Sequence, residues 1–247
     1  MGKLEGRVAI VTGGARGIGC AVATALAREG AAVAVADLDE QGASATAAGI
    51  AAAGGQAVDI GVDVTDPEQA ERIVVETVDA LGGLHVLVNN AAIGTSCPVL
   101  EMSVETWQRM LDSNLSSVFY CTRAALPHLI GQRWGRIINV ASQLALKGGV
   151  EMAHYCAAKA GVLGLTKALA RELAPYSITV NAIAPGPVET NMLADLPDEW
   201  RESKLAELPI GRFGRPEEIA PTAVLLASED GAYYTGSTLN VSGGDVM

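Results

Sequence analysis

The chain has 247 residues, 49% of them hydrophobic and only 4% aromatic, with 17 basic against 28 acidic residues and a net charge of -11. A length of this order holds one α/β domain with a large core, and an aliphatic, small-residue composition suits a buried parallel sheet covered by helices. The acidic balance repels phosphate backbones and anionic bilayers, so no nucleic acid and no membrane is expected as a partner.

The predicted elements alternate. R-V-A-I-V-T, residues 7–12, predicts a buried strand; a glycine cluster predicts a turn; and the Ala/Leu periodicity through Arg28, stopped by Gly30, predicts a helix. The run ending at Asp37 reads as a second strand, Glu40 to Ala53 as a helix stopped by Gly54, and residues 57–64 as a third strand. Asp66-Pro67 supplies an N-cap and a first-turn proline for a helix to about Leu81, and residues 84–90 give a fourth strand. One long helical region from about Ser103 to Ile130 leads to a strand at 137–140, a helix carrying Tyr155 to about Leu173, and a strand at 178–183. From Pro185 to Pro216 five prolines break the alternation around a polar helix-like piece at Trp200, which predicts a substrate lid at about 187–215. A helix from Glu217 to Ser228 and a strand near Leu239 complete a single α/β domain over residues 1–247. Its repeated strand–helix–strand units require right-handed crossovers, hence a doubly wound parallel sheet with helices on both faces.

Such a sheet carries its chemistry at the carboxyl ends of its strands, and two stretches stand there. Thr12 to Gly19 spells G-x-x-x-G-x-G between strand and helix, where glycines let backbone amides and the positive helix end approach a pyrophosphate. Asp37 follows about 20 residues later, where a carboxylate accepts from a ribose 2′-hydroxyl and repels a 2′-phosphate; NAD is expected over NADP, although Arg16 pulls the other way. The second stretch runs from Asn139 to Lys159. Tyr155 and Lys159 stand four apart on one helix face, and an ammonium beside a phenol is expected to lower a pKa that is otherwise near ~10. Tyr155 could then exchange a proton with an alcohol or carbonyl.

Taken singly, these residues also have plain readings: Tyr155 as core packing, Lys159 as a solvated helix face, Ser142 as a strand-end cap, Asn114 as a polar residue inside a helix. Cys156 and His154 flank Tyr155, but adjacent helical residues point about 100° apart, which argues against a thiol–imidazole pair. Without a G-x-S-x-G elbow Ser142 is a poor hydrolase nucleophile. The four cysteines, Cys20, Cys97, Cys121 and Cys156, lack any C-x-x-C spacing, which predicts reduced thiols, no metal and a cytoplasmic location.

With T-G-x-x-x-G-I-G, N-N-A-A, Asn114, Ser142, Y-x-x-x-K and P-G in order, the chain resembles the short-chain dehydrogenase/reductase family along essentially its whole length. The resemblance implies a Rossmann-type fold and a catalytic tetrad of Asn114, Ser142, Tyr155 and Lys159. It implies that Tyr155 is the acid/base, that Ser142 holds the reacting oxygen, that Lys159 binds the nicotinamide ribose, and that Asn114 anchors a relay water. For the dinucleotide it implies Gly13, Arg16, Gly17, Ile18 and Gly19 at the turn, and Asp37 and Leu38 at the ribose. Asp63 and Val64 fall at the adenine, Asn89, Asn90 and Ala91 on the cleft floor, and Pro185, Gly186, Val188 and Thr190 on the nicotinamide side. Ala92 replaces a glycine usual in the family, and His85 stands where many members carry Asp; His85 is assigned no role. Gln143, Leu144, Val150, Met152, Pro187, Met192 and Leu193, with Ser142, are expected to line the substrate pocket. A homotetramer is implied, packed through the long helices before and after Ser142, with the C-terminal tail near another interface.

The motifs G-R-I-I-N-V-A-S and T-G-S-T-L-N-V-S-G-G resemble the 3-oxoacyl-thioester reductases of that family. Acyl carrier proteins are acidic and dock on basic residues; Arg133 fits such a patch, but Tyr176 stands where a second cation is expected, and the net charge adds repulsion. The expectation is therefore an NAD(H)-linked dehydrogenase of a small secondary alcohol or its ketone. The alternative is a 3-oxoacyl-(acyl-carrier-protein or CoA) reductase, and a third reading, of another class, is a catalytically idle dinucleotide-binding sensor.

Overall fold

In a computed structural model that describes residues 2–194 and 198–247, the short apolar runs form strands because each is covered on both faces. Strand β1 (Val8–Thr12) is buried at every position, and so is β5 (Gly135–Val140). In β2 (Ala32–Asp37), Val33 and Val35 face one core cluster while Ala34 and Ala36 face the other, the period of two that a pleated strand imposes. The first cluster is closed by α1 (Gly17–Arg28), α2 (Glu40–Ala52) and α10 (Pro216–Ala227). The second is closed by α3 (Pro67–Leu81), α5 (Ser117–Gln132) and α7 (Ala153–Leu173).

With β3 (Gln56–Gly61), β4 (Val86–Asn89), β6 (Ile178–Pro185) and β7 (Thr238–Val241) the sheet has seven strands in the order β3-β2-β1-β4-β5-β6-β7, every pair parallel. This is the doubly wound arrangement, and its order reverses between β1 and β4, where a crevice opens at the carboxyl ends of the strands. No described helix is long and apolar enough to cross a membrane.

Beyond shifts of one or two residues at other element ends, three departures from the expected elements stand out. Strand β3 ends at Gly61 instead of residue 64: Val62 still donates to Asp37 O at 2.9 Å, but Asp63 then folds back, accepting from Thr65 N at 2.9 Å. The long helical region is not one helix. α4 (Val104–Leu111), capped by Ser103 accepting from Thr106 N, passes into a π-helical turn at Asp112–Ser116 before α5 begins. There Ser117 N donates to Asp112 O, and the Ser117 hydroxyl takes over the Ser113 carbonyl at 2.7 Å. A short helix, α6 (Leu144–Lys147), follows Ser142. In the proline-broken region lie α8 (Asn191–Ala194) and α9 (Asp198–Glu207). The side chain of Met192, and residues 195–197 of the expected lid, lie outside the described residues.

Candidate active site

The glycine turn is built by close approach. Gly13 has φ +65°, and a Cβ there would stand 2.7 Å from Ala91 Cα; its neighbour across the crevice, Asn90, donates through Nδ2 to Thr12 O and Gly13 O, both at 3.0 Å. Thr12 completes the seam by accepting from Asn90 N and Ala91 N at 3.0 and 3.2 Å. The Arg16 side chain does not cap α1, so no side chain occupies the first-turn amides. At the end of β2, Asp37 accepts from Ala15 N at 2.9 Å and from Asp39 N at 3.0 Å, which fixes its carboxylate beside the turn.

These residues border one cleft of about 1360 Å³. It is lined by Gly13, Arg16, Gly17, Ile18, Asp37, Leu38, Asp63, Val64, Asn90 and Ala91, and by Pro185, Gly186, Val188 and Thr190, the last standing against Gly17. A cradle of bare glycines, an open helix N-terminus and a ribose-level carboxylate fit a dinucleotide. Gly19 does not line the cleft. It packs under the turn, where a Cβ would overlap the Gly13 carbonyl and stand 2.5 Å from Asn90 Nδ2, so its part is to let turn and helix meet.

At the deep end the chemistry-bearing side chains converge. Ser142, Tyr155 and Lys159 all line the cleft and all are buried. Ser142 Oγ accepts from Leu144 N at 3.1 Å, the first turn of α6, which leaves the hydroxyl proton free to donate. Lys159 Nζ donates to Val140 O at 2.8 Å and lies 6.0 Å from the centre of the Tyr155 ring. Burial lowers Lys159 to about 8. The same burial raises the Tyr155 phenol above its ordinary value, against a smaller opposing effect of the Ser142 hydroxyl. This runs against the expectation that Lys159 lowers the phenol's pKa: the amine is turned to Val140 O, and burial is the largest influence on the phenol.

Asn114 stands in the π-helical turn, fully buried behind the cleft wall. Its Oδ1 accepts from Ile93 N and its Nδ2 donates to Ile93 O, both at 2.8 Å, so the amide clamps the loop after β4 onto the catalytic helix layer. The expected relay water at Asn114 would have to share this side-chain amide, already engaged at both ends, or be held by the residue's backbone. Of the expected pocket residues, Ser142, Gln143, Leu144, Val150, Met152, Pro187 and Leu193 line the cleft. Gln143 Oε1 is buried and without a partner among the described residues.

Several lining residues escaped the sequence reading, among them Thr95, Arg109 and Lys147, while Trp200 and Lys204 fall in the region expected to be the lid. Lys147 and Lys204 reach a common carboxylate, Asp245 Oδ1, at 2.6 and 2.8 Å. Sequence spacing carries no sign of this, since the partners lie 98 and 41 residues apart. Arg133, expected at a carrier-docking patch, donates to Pro175 O at 3.1 Å beside Tyr176. Both stand just before β5 and β6 begin, at the amino-terminal ends of the strands, whereas the cleft opens at their carboxyl ends.

Residues 13–245 match the family model described as enoyl-(acyl carrier protein) reductase. A 3-oxoacyl-(acyl-carrier-protein) reductase of Vibrio cholerae is 44% identical over 245 residues, 99% of each chain. One from Synechocystis sp. is 43% identical over 249 residues, 100% of each. A solved structure from Sinorhizobium meliloti, described as a short-chain alcohol dehydrogenase, superposes with a TM-score of 0.95 at 38% identity, covering 98% of this chain and 97% of that one.

Proposed function

The chain belongs to the short-chain dehydrogenase/reductase family of nicotinamide-dependent oxidoreductases, and on that premise we propose that it reduces 3-oxoacyl thioesters to 3-hydroxyacyl thioesters. The observation that carries this reading is the convergence of Ser142, Tyr155 and Lys159 in one cleft, with a free hydroxyl proton on Ser142 and a phenol that stays protonated at neutral pH and can donate to a carbonyl. Relatives named as 3-oxoacyl reductases over the full length support it, and favour it over the secondary-alcohol dehydrogenase expected from the sequence. One observation still favours that second reading. The Asp37 carboxylate disfavours a 2′-phosphate, and NAD preference suits alcohol oxidation.

The hydride comes from the reduced nicotinamide when the dinucleotide is bound. Ser142 donates to the ketone oxygen and fixes it beside Tyr155, which delivers its phenolic proton as negative charge develops there. Lys159, held by Val140 O, keeps its other N–H groups for the ribose and for the phenolate left behind. Asn114 keeps the wall in register by holding Ile93. Residues 187–215 act as a lid over the ketone.

We also take the chain to form a homotetramer through α5 and α7. The outer face of α7 carries exposed Ala157, Ala160, Gly164 and Ala168, small residues on one stripe, and Phe119 on α5 is half exposed. Sedimentation of a monomer alone would remove this.

Purified protein should oxidise NADH with acetoacetyl-CoA faster than it reduces NAD with simple secondary alcohols. Tyr155→Phe should keep dinucleotide binding and lose kcat by about 100-fold or more. Turnover of alcohols with none of the thioester would return the reading to a secondary-alcohol dehydrogenase.

A further inference from the structure

A buried imidazole behind the cleft wall has no part in the proton transfer above. His154 is fully buried in the first turn of α7, next to Tyr155, and its Nε2 lies 3.1 Å from Thr95 Oγ1. Its Nδ1 is buried too and finds no hydrogen-bond partner among the described residues. Thr95, by contrast, is exposed on the loop after β4 and lines the cleft.

Burial lowers the pKa of His154, so the ring is neutral and one nitrogen carries the proton. A proton on Nδ1 would leave a buried N–H with no acceptor, the rarer and costlier kind of orphan. A proton on Nε2 leaves only an unpartnered lone pair and lets the ring donate to Thr95 Oγ1. The threonine hydroxyl then accepts from the wall and keeps its own proton for the cleft. Because His154 and Tyr155 are consecutive, this second donor is tied to the same helical turn as the phenol.

We propose that Thr95 is a specificity residue that donates to a second oxygen of the substrate, the thioester carbonyl beyond the reacting ketone, and that His154 is the positioning residue that aims its hydroxyl. The inference rests on the thioester reading but is tested apart from it, by comparing a 3-oxo ester, ethyl acetoacetate, with a ketone lacking the second oxygen, 2-hexanone. Thr95→Val should lower kcat/KM for the ester by about tenfold and leave that for 2-hexanone unchanged, with Thr95→Ser retaining most of the preference. His154→Phe should reproduce the selective loss and add nothing in the Thr95→Val background, a non-additivity that general loosening of α7 would not give. Equal losses on both substrates, or none, in Thr95→Val overturn the specificity role. Further loss in the double variant overturns the positioning role, and if His154→Phe does not fold, the Thr95→Val and Thr95→Ser pair still decides the first. Wild-type protein that reduces ethyl acetoacetate but not acetoacetyl-CoA overturns the thioester reading alone, and protein that reduces neither overturns both.

Discussion

Lys159 shares the deep end of the cleft with Tyr155, and burial shifts the two in opposite directions, the amine down to about 8 and the phenol up. Below that value Lys159 is an ammonium in the free enzyme, and above it a neutral amine with a weaker grip on a ribose hydroxyl. The dissociation constant of NADH, followed by fluorescence, should therefore rise by about tenfold as pH passes upward through this range. In Lys159→Met binding should be weak throughout and flat with pH, and a flat wild-type curve would contradict the role given to the amine. At the other end of the cleft, Asp37 is held by Ala15 N and Asp39 N, so it cannot swing away from a 2′-phosphate. Asp37→Ala should raise the ratio of kcat/KM with NADPH to that with NADH by about tenfold or more. An unchanged ratio would show that another group sets cofactor choice.

The first glycine turn and α1 meet at Gly19, where a methyl would overlap the Gly13 carbonyl, whereas Gly49 in α2 has open space around its missing Cβ. Gly19→Ala should lower Tm and abolish measurable dinucleotide binding, while Gly49→Ala should leave binding alone and stabilise by up to about 1 kcal/mol. Thermal melts with and without NADH separate the two. Elements of this kind were legible in the sequence because period and punctuation agree: the Asp66-Pro67 start of α3 is a true cap, with Asp66 accepting from Glu68 N and Gln69 N, and α3 stops at left-handed Gly82. The π-helical turn was not legible. Shifting one hydrogen-bond register from four residues to five leaves the apolar pattern of residues 103–130 almost untouched, and only the Asn114–Ile93 clamp reveals why the turn is there. The candidate site was legible where motif and element agree, at the strand ends that bear Asp37 and Ser142 and on the face of α7 that bears Tyr155 and Lys159. It was illegible where partners are distant in sequence, as for Thr95 with His154, or where desolvation sets the charge, as for Tyr155.

Across the whole molecule, the C-terminal tail ties the two sides of the cleft mouth together. Asp245, with its side chain 4% exposed, pairs through Oδ1 with Lys147 at the end of α6 and Lys204 in α9, and Lys204 also meets Glu207 at 2.8 Å. Asp245→Ala leaves the buried Lys204 with Glu207 alone. We expect a loss of about 2 kcal/mol in stability and faster proteolytic cutting within residues 187–215, measured by urea melts and limited trypsin digestion. These ions lower the Asp245 pKa, so its contribution is present above the ordinary carboxylate range and is lost as pH falls through the depressed value. An Asp245→Ala protein with unaltered melting and digestion would show that the tail does not hold α9 in place. The order of the sheet carries a consequence of another kind. The pairs β1–β2 and β2–β3 use only residues 8–61, whereas β4 must return to the far side of β1, and β5, β6 and β7 add outward from it. During synthesis the first three strands can pair before the segment bearing Ser142 and Tyr155 has left the ribosome. The half that bears the glycine turn and Asp37 is thus available as a template for the half that bears Ser142 and Tyr155. Refolding protein should accordingly protect the amides of β1 and β2 from hydrogen exchange before it recovers turnover.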